Sequence, residues 1–203
     1  ANLANQVFAP SQSVKDLLAE RGVTSPIEVV PTGIDLNRFA KANPKKIRAN
    51  LAIPPGAFTI GHLGRLAPEK NLPLLVRSFQ RIRERNPRAR CVLVGDGPGA
   101  SWLRTEYPEF FHAGARTGLD LAKHYASADL FVFPSLSETF GNVLTESLAS
   151  GLVSVSYDDA AARQYVRHGH NGFVAKPGDD GAYLEAVDEA LAAARAPREN
   201  REL

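Results

Sequence analysis

Leu130-Phe131-Val132-Phe133-Pro134-Ser135-Leu136-Ser137-Glu138-Thr139-Phe140-Gly141-Asn142-Val143-Leu144-Thr145-Glu146-Ser147-Leu148-Ala149-Ser150-Gly151 is the stretch on which the fold turns. Four consecutive apolar residues run into a proline and a polar turn, then into a helix-like segment that closes at Gly151. An unbroken apolar run marks a strand buried on both faces, whereas a half-exposed strand alternates. Glycine just past the last helical residue supplies the left-handed stop that many helices use. Strand, turn and helix in this order form one unit of a parallel α/β sheet.

Working outward, the unit repeats. Apolar runs at 27–30, 58–63, 90–94, 110–113, 153–156 and 172–175 predict further strands. Segments 11–21, 72–85, 119–126, 141–150, 160–167 and 180–195 predict helices between them. In 72–85 the residues Leu72, Leu75, Val76, Phe79 and Ile82 fall close to the spacing of one helical face. The expected fold is α/β, a Rossmann-like doubly wound parallel sheet with helices on both faces and right-handed crossovers. The ends read differently. Residues 6–9 predict a separate strand, followed by a turn at Pro10 and helix 11–21, and 196–203 is a polar tail.

Composition narrows the function classes. The 203 residues are 44% hydrophobic and 23% charged, with 24 Lys and Arg against 22 Asp and Glu, which excludes a disordered chain. Cys91 is the single cysteine, so no disulfide framework is available within the chain. No apolar run approaches the ~18 residues of a membrane span. Nearly balanced charge gives no pointer to nucleic acid. The first residues lack the basic patch and long apolar core of a secretory leader, and the chain does not start with Met. A cytoplasmic piece of a longer protein is the expectation.

Ligands of open α/β sheets bind beyond the carboxyl ends of the strands, where strand order reverses. Four loops there carry chemistry. In Gly61-His62-Leu63-Gly64-Arg65-Leu66-Ala67-Pro68-Glu69-Lys70, Arg65 offers a planar fork and Lys70 a point charge; they suit a diphosphate, or form a solvated pair. Val94-Gly95-Asp96-Gly97-Pro98-Gly99 is a tight turn or a close approach to a ligand, and it does not fit the dinucleotide fingerprint G-x-G-x-x-G. Were Ser137 or Thr139 the cap of helix 141–150, the amides from about Phe140 to Val143 would point free N–H groups outward, a ready anion site. Glu138 and Glu146 flank that helix start. They suit vicinal hydroxyls of a sugar and a ribose, or are a first-turn and a solvated carboxylate. The fourth loop, Val30-Pro31-Thr32-Gly33-Ile34-Asp35, is a glycine turn directly after a strand.

In this order the motifs closely resemble the retaining glycosyltransferases of family 4, which have the GT-B fold. The resemblance rests on P-T-G-I-D at 31–35, G-R-L-A-P-E-K at 64–70, V-G-D-G-P at 94–98 and A-S-A-D-L-F-V-F-P-S at 126–135. S-E-T-F-G-N-V-L-T-E at 137–146, A-S-G at 149–151 and H-N-G-F-V at 170–174 complete it. It covers most of the chain and only the carboxyl-terminal, donor-binding half of such enzymes. By this resemblance 1–29 is the tail of an amino-terminal acceptor domain with its linker, and 30–195 is the nucleotide-sugar-binding domain.

The resemblance implies a role for each matching position. Arg65 and Lys70 would bind the donor diphosphate and stabilise the leaving nucleotide. Glu138 would hold hydroxyls of the transferred sugar, and Glu146 those of the ribose. Thr139, Phe140, Gly141, Asn142 and Val143 would bring backbone amides to sugar and phosphate. Gly33, Gly64 and Gly95 would lie beside the pyrophosphate, with Ala115 and Arg116 at the base. Glu138, Arg65 and Lys70 would be the catalytic set. Thr32 departs from the Asn of many members, and Leu152-Val153-Ser154 departs from a common proline. The implied reaction is retaining transfer from a UDP- or GDP-sugar, with no metal and no cofactor, to an acceptor bound by the missing amino-terminal domain. Peripheral membrane contact of the full protein and no nucleic-acid partner complete the expectation. The isolated chain would bind donor but transfer little.

Two rival readings remain: a non-catalytic nucleotide-binding module, and a dinucleotide-dependent oxidoreductase domain, which the absent fingerprint disfavours. Asp158-Asp159, Asp179-Asp180 and His168-Gly169-His170 read as solvated turns before they read as metal ligands. Arg77, Arg81, Arg83, Arg85, Arg88 and Arg90 read as a solvated basic face, Cys91 as a small core residue, and Trp102 as a packing residue.

Overall fold

The computed structural model describes residues 2–40, 48–50 and 53–195. Among the described residues there are two parallel sheets. The smaller pairs β1 (Val7–Ala9) with β2 (Ile27–Val29), joined by α1 (Gln12–Glu20). The larger has β3 (Thr59–Leu63), β4 (Arg90–Val94), β5 (Phe111–Gly114), β6 (Leu130–Phe133), β7 (Val153–Tyr157) and β8 (Phe173–Ala175), in the order β5-β4-β3-β6-β7-β8. Every pairing within it is parallel. Its connecting helices are α3 (Leu72–Arg85), α4 (Ala100–Glu106), α5 (Gly118–Ser127), α6 (Asn142–Ala149) and α7 (Ala160–Tyr165), with α8 (Asp180–Ala194) following β8 and α2 (Leu36–Ala40) ahead of β3.

The strand residues alternate between two cores. Ile60, Cys91, Leu93, Leu130, Val132, Val153 and Val155 pack with Leu75, Phe79 and Ile82 of α3, Leu103 of α4 and Tyr183, Val187 and Leu191 of α8. Their neighbours Leu63, Val92, Val94, Phe131 and Phe133 pack on the other face with Tyr125 of α5, Leu144 of α6 and Ala161 of α7. Burial on both faces explains why β6 is apolar throughout and why β7 alternates valine with small serines before Tyr157, while β3 carries one large polar residue, His62. The expected doubly wound sheet is what the chain forms.

Local differences have local causes. The helices α2 and α4 are additional to those expected; both are too short to display a helical period. β5 starts one residue later than expected, beside a register shift between Leu93 and Val94. Neither Ser137 nor Thr139 caps α6. The cap position is Gly141, held at φ 97°, and no side chain caps the helix. The basic run on α3 is a solvated face, as expected, and its arginines are paired there: Arg77 meets Asp180, Arg81 and Arg85 both meet Asp188, and Arg83 meets Glu109.

Strand order reverses at β3, which lies between β4 and β6. The β3–β4 ladder runs the full length of both strands, whereas β3 and β6 are paired only at Ile60–Leu130 and Gly61–Phe131. Beyond that point the buried His62 Nδ1 lies 3.0 Å from the Val132 carbonyl and takes the place of a ladder bond. Burial holds its pKa down at about 4, so the imidazole is neutral and Nδ1–H is the donor. The parting of β3 and β6 opens the crevice into which the loops project.

Candidate functional site

A continuous cleft lies over the carboxyl ends of β3, β4, β5 and β6. Its wide part, about 840 Å³, is lined by Gly64, Arg65, Lys70, Glu138 and Val143, and on the far wall by Pro10, Val14 and Leu17 of the amino-terminal segment. An inner cavity of about 260 Å³ opens from it at Gly64, Arg65 and Val143, and ends on Gly95, Asp96, Ala115, Arg116, Tyr125 and Glu146.

One side of the cleft carries the cations. Asn71 adopts a left-handed conformation and turns the short 3-10 segment Pro68–Lys70 into α3. The Leu136 N–H donates to the Glu69 carbonyl at 2.9 Å, fastening this loop to the one after β6. Arg65 is largely exposed and paired with Glu69. Lys70 is far less exposed; its ammonium pairs with Glu138 and lies 3.4 Å from Ser135 Oγ and 5.4 Å from the centre of the Phe133 ring. A cation between a carboxylate and an aromatic face is held in place before any anion arrives.

The opposite side is the start of α6. Leu144 N–H bonds to the Gly141 carbonyl, but the amides of Asn142 and Val143 have no acceptor among the described residues. Because the cap is glycine, no side chain competes for them, and together with the positive end of the helix dipole they are suited to an anion. One turn on, Glu146 projects into the inner cavity. Its Oε2 accepts from the Tyr125 hydroxyl at 2.8 Å. Burial pushes the Glu146 carboxyl above its usual range, opposed by that hydrogen bond and by the charge of Arg38.

The arrangement has two cations and free amides placed for a doubly charged linker, with a carboxylate at each end for hydroxyl groups. Residues 43–202 match the model of the family described as glycosyl transferases group 1. The chain belongs to that family. Similarity to individual proteins agrees. A GDP-mannose-dependent alpha-mannosyltransferase of Mycobacterium tuberculosis is 32% identical over 177 residues, 87% of this chain and 45% of that protein. An alpha-monoglucosyldiacylglycerol synthase of Streptococcus pneumoniae is 33% identical over 162 residues, 74% of this chain and 37% of that protein. The chain therefore spans less than half the length of these relatives. Among solved structures, HepE of Anabaena in complex with UDP has the same fold, with a TM-score of 0.77 at 24% identity, over 94% of this chain and 59% of that one.

Within this glycosyl transferases group 1 chain, most expected site residues meet in the cleft. Arg65, Lys70, Glu138, Thr139, Phe140, Gly141, Asn142, Val143 and Gly64 line its wide part, and Gly95, Ala115, Arg116 and Glu146 its inner cavity. Gly33 is the exception: it is not on the wall, and its neighbour Thr32 is. Glu69, Asp96, Leu121 and Tyr125 also line the cleft and were not expected. Glu69 was readable, four residues from Arg65 on a charged loop. Tyr125 gave no such signal, because its ring reads as core.

The remaining polar clusters have partners of their own. His168 hydrogen-bonds with Val174 and pairs with Glu189, Asp159 and Asp179 cap α7 and α8, and Asp180 accepts from Tyr157. No group of three or more His, Cys, Asp or Glu near enough to hold a metal occurs among the described residues.

Proposed function

We propose that this chain is the carboxyl-terminal, donor-binding part of a retaining family 4 glycosyltransferase, and that it binds a UDP- or GDP-sugar. The observation that carries the reading is the convergence of Arg65, Lys70, the α6 amides, Glu138 and Glu146 on one cleft at the point of strand reversal. The diphosphate lies between Arg65, Lys70 and the amides of Asn142 and Val143. The sugar extends toward Glu138, and the ribose and base enter the inner cavity, with Glu146 accepting from the ribose.

As the glycosidic bond to the leaving phosphate breaks, negative charge grows on the diphosphate, and the cations and amides are already aimed at it. Glu138 is tied up by Lys70 and Glu146 lies at the ribose end, so neither is placed as a nucleophile, and a front-face route, in which the departing phosphate helps to deprotonate the acceptor, fits the set. No metal or cofactor enters this scheme. The acceptor is held by an amino-terminal domain whose tail is 1–29 and whose body is outside these 203 residues, and the chain alone transfers little sugar. The relative named as GDP-mannose-dependent and the fold neighbour solved with UDP support this choice of donors.

The test is a thermal-shift panel of UDP, GDP, ADP and their sugar conjugates on the wild type, Arg65→Ala and Glu146→Ala. A ligand at about a hundred times its Kd adds roughly 2.7 kcal/mol of stability, a readable shift. One nucleotide should stabilise the wild type and lose most of its effect in both variants. A panel without any response, or one that both variants answer as the wild type does, refutes the reading.

A further inference from the structure

Tyr125 is the largest buried polar side chain bordering the cleft, and the scheme above gives it no task. Its ring is completely buried on α5, edge-on to Phe39 of α2 at 5.7 Å and tilted against Phe131 of β6 at 5.9 Å. A residue wanted only for packing here could be phenylalanine, as its two ring neighbours are. The hydroxyl instead reaches two acceptors, Glu146 Oε2 at 2.8 Å and the Val143 carbonyl at 3.1 Å. A phenol has one hydrogen to give, and the nearer, charged acceptor takes it. Glu146 Oε1 has no hydrogen-bond partner among the described residues.

We infer that Tyr125 is a positioning residue for nucleotide binding: its hydroxyl pins Oε2 of Glu146 and so presents Oε1, ionised, to a ribose hydroxyl in the inner cavity. This rests on the nucleotide-sugar reading and deepens it. A half-buried carboxylate turns freely about its terminal torsion and favours its protonated form, and either tendency spoils it as an acceptor. The Tyr125 hydrogen bond opposes both. The other charged groups around Glu146 are Arg65, Asp96 and Arg116 on the cavity wall and Arg38 on α2. None of them makes a hydrogen bond or ion pair with the carboxylate. Phe39 ties the arrangement to the chain just after the glycine turn at Gly33, because α2 packs against both α5 and α6.

The test uses the 203-residue chain and has two readouts. Calorimetry with UDP, GDP and ADP gives the Kd of whichever binds, in the wild type, Tyr125→Phe, Glu146→Gln and the double variant. Tyr125→Phe should weaken binding about tenfold when Glu146 is present and less than about twofold in the Glu146→Gln background. The second readout needs no nucleotide. The Glu146 carboxyl, followed by carbon NMR, should titrate at higher pH in Tyr125→Phe than in the wild type, since a bond that favours the ionised form is gone. Phe39→Leu loosens the packing of the same ring and keeps the hydroxyl, so it should lower Tm and leave that titration in place.

Equal losses in both backgrounds, or an unmoved Glu146 titration, would make the hydroxyl a packing feature and overturn the inference. If the wild type binds none of the three nucleotides, the nucleotide reading itself falls and this inference with it, which is a different result from binding that ignores Tyr125→Phe.

Discussion

Lys70 and Glu138 neutralise each other on the floor of the cleft, with side chains only 13% and 19% exposed. Removing one partner from so sheltered a pair leaves the other charge poorly solvated and in need of a counter-ion. The two substitutions should therefore act in opposite directions on the bare nucleotide. Glu138→Ala releases Lys70, and the nucleoside diphosphate should bind as well as to the wild type or up to about tenfold tighter. The extra affinity that the sugar adds should vanish in this variant, because the carboxylate that reads its hydroxyls is gone. Lys70→Ala should weaken nucleotide and nucleotide-sugar alike, by about 10–100-fold for a lost charge-assisted bond. Calorimetry with the bare nucleotide and its sugar conjugate separates the two patterns. A Glu138→Ala variant that loses both ligands equally would remove Glu138 from sugar recognition.

At the scale of elements, the site depends on how the loops after β3 and β4 are laced together. Gly64 N–H donates to the Val94 carbonyl, Gly95 N–H to the Gly114 carbonyl and Leu66 N–H to the Asp96 carbonyl, each at 2.9 Å, so the ladder continues past the strands into the cleft wall. Gly95 is the tightest point. It has φ 143°, and a Cβ placed on it would stand 1.8 Å from the Gly64 carbonyl oxygen. Backbone cannot yield there as a side-chain tip would. Gly95→Ala is expected to cost more than about 2 kcal/mol in urea unfolding and to weaken nucleotide binding through the displaced Gly64-Arg65 turn. Near-wild-type stability would show that the two loops are free to part.

That lacing was only partly legible. Three glycines after a buried strand left a tight turn and a ligand approach equally open, and the structure shows a turn held tight against the Gly64–Leu66 loop of the same cleft. Strands such as 130–133 were readable because burial on both faces writes itself as an unbroken apolar run. α4 was not, since it buries only Ala100 and Leu103 of its seven residues. The α6 cap was misread for a physical reason: Ser137 and Thr139 have capping side chains, yet Gly141 can take the left-handed angle that turns the chain into the helix. Spacing alone left Glu138 and Glu146 open between hydroxyl ligands and solvated carboxylates, and the family resemblance singled them out, whereas Tyr125 reaches Glu146 from a different helix, a proximity that only the folded chain creates.

At the scale of the whole molecule, the two sheets differ in what holds them. The larger sheet is buried between two helical layers. The smaller has two three-residue strands, α1 buries no residue fully, and Phe8 and Leu17 are 62% and 43% exposed. Two short strands covered on one face by a single short helix are marginal on their own. The links from α1 and its cap to the larger unit are polar: Ser11 Oγ donates to the Thr139 carbonyl at 2.8 Å, and Ser13 Oγ to Asp159. Opening of the first segment should therefore require much less than global unfolding. Native-state hydrogen exchange is expected to find the β1 and β2 amides exchanging at least about a hundredfold faster than those of β3 and β6, with the Asn142 and Val143 amides slowed by a bound nucleotide. The first comparison tests whether Val7–Ala9 and Ile27–Val29 form a unit separate from the sheet that follows. Uniform protection across both sheets would instead make the amino-terminal segment part of one cooperative core, and the wall that Pro10, Val14 and Leu17 give the cleft would then be as fixed as the cations facing it.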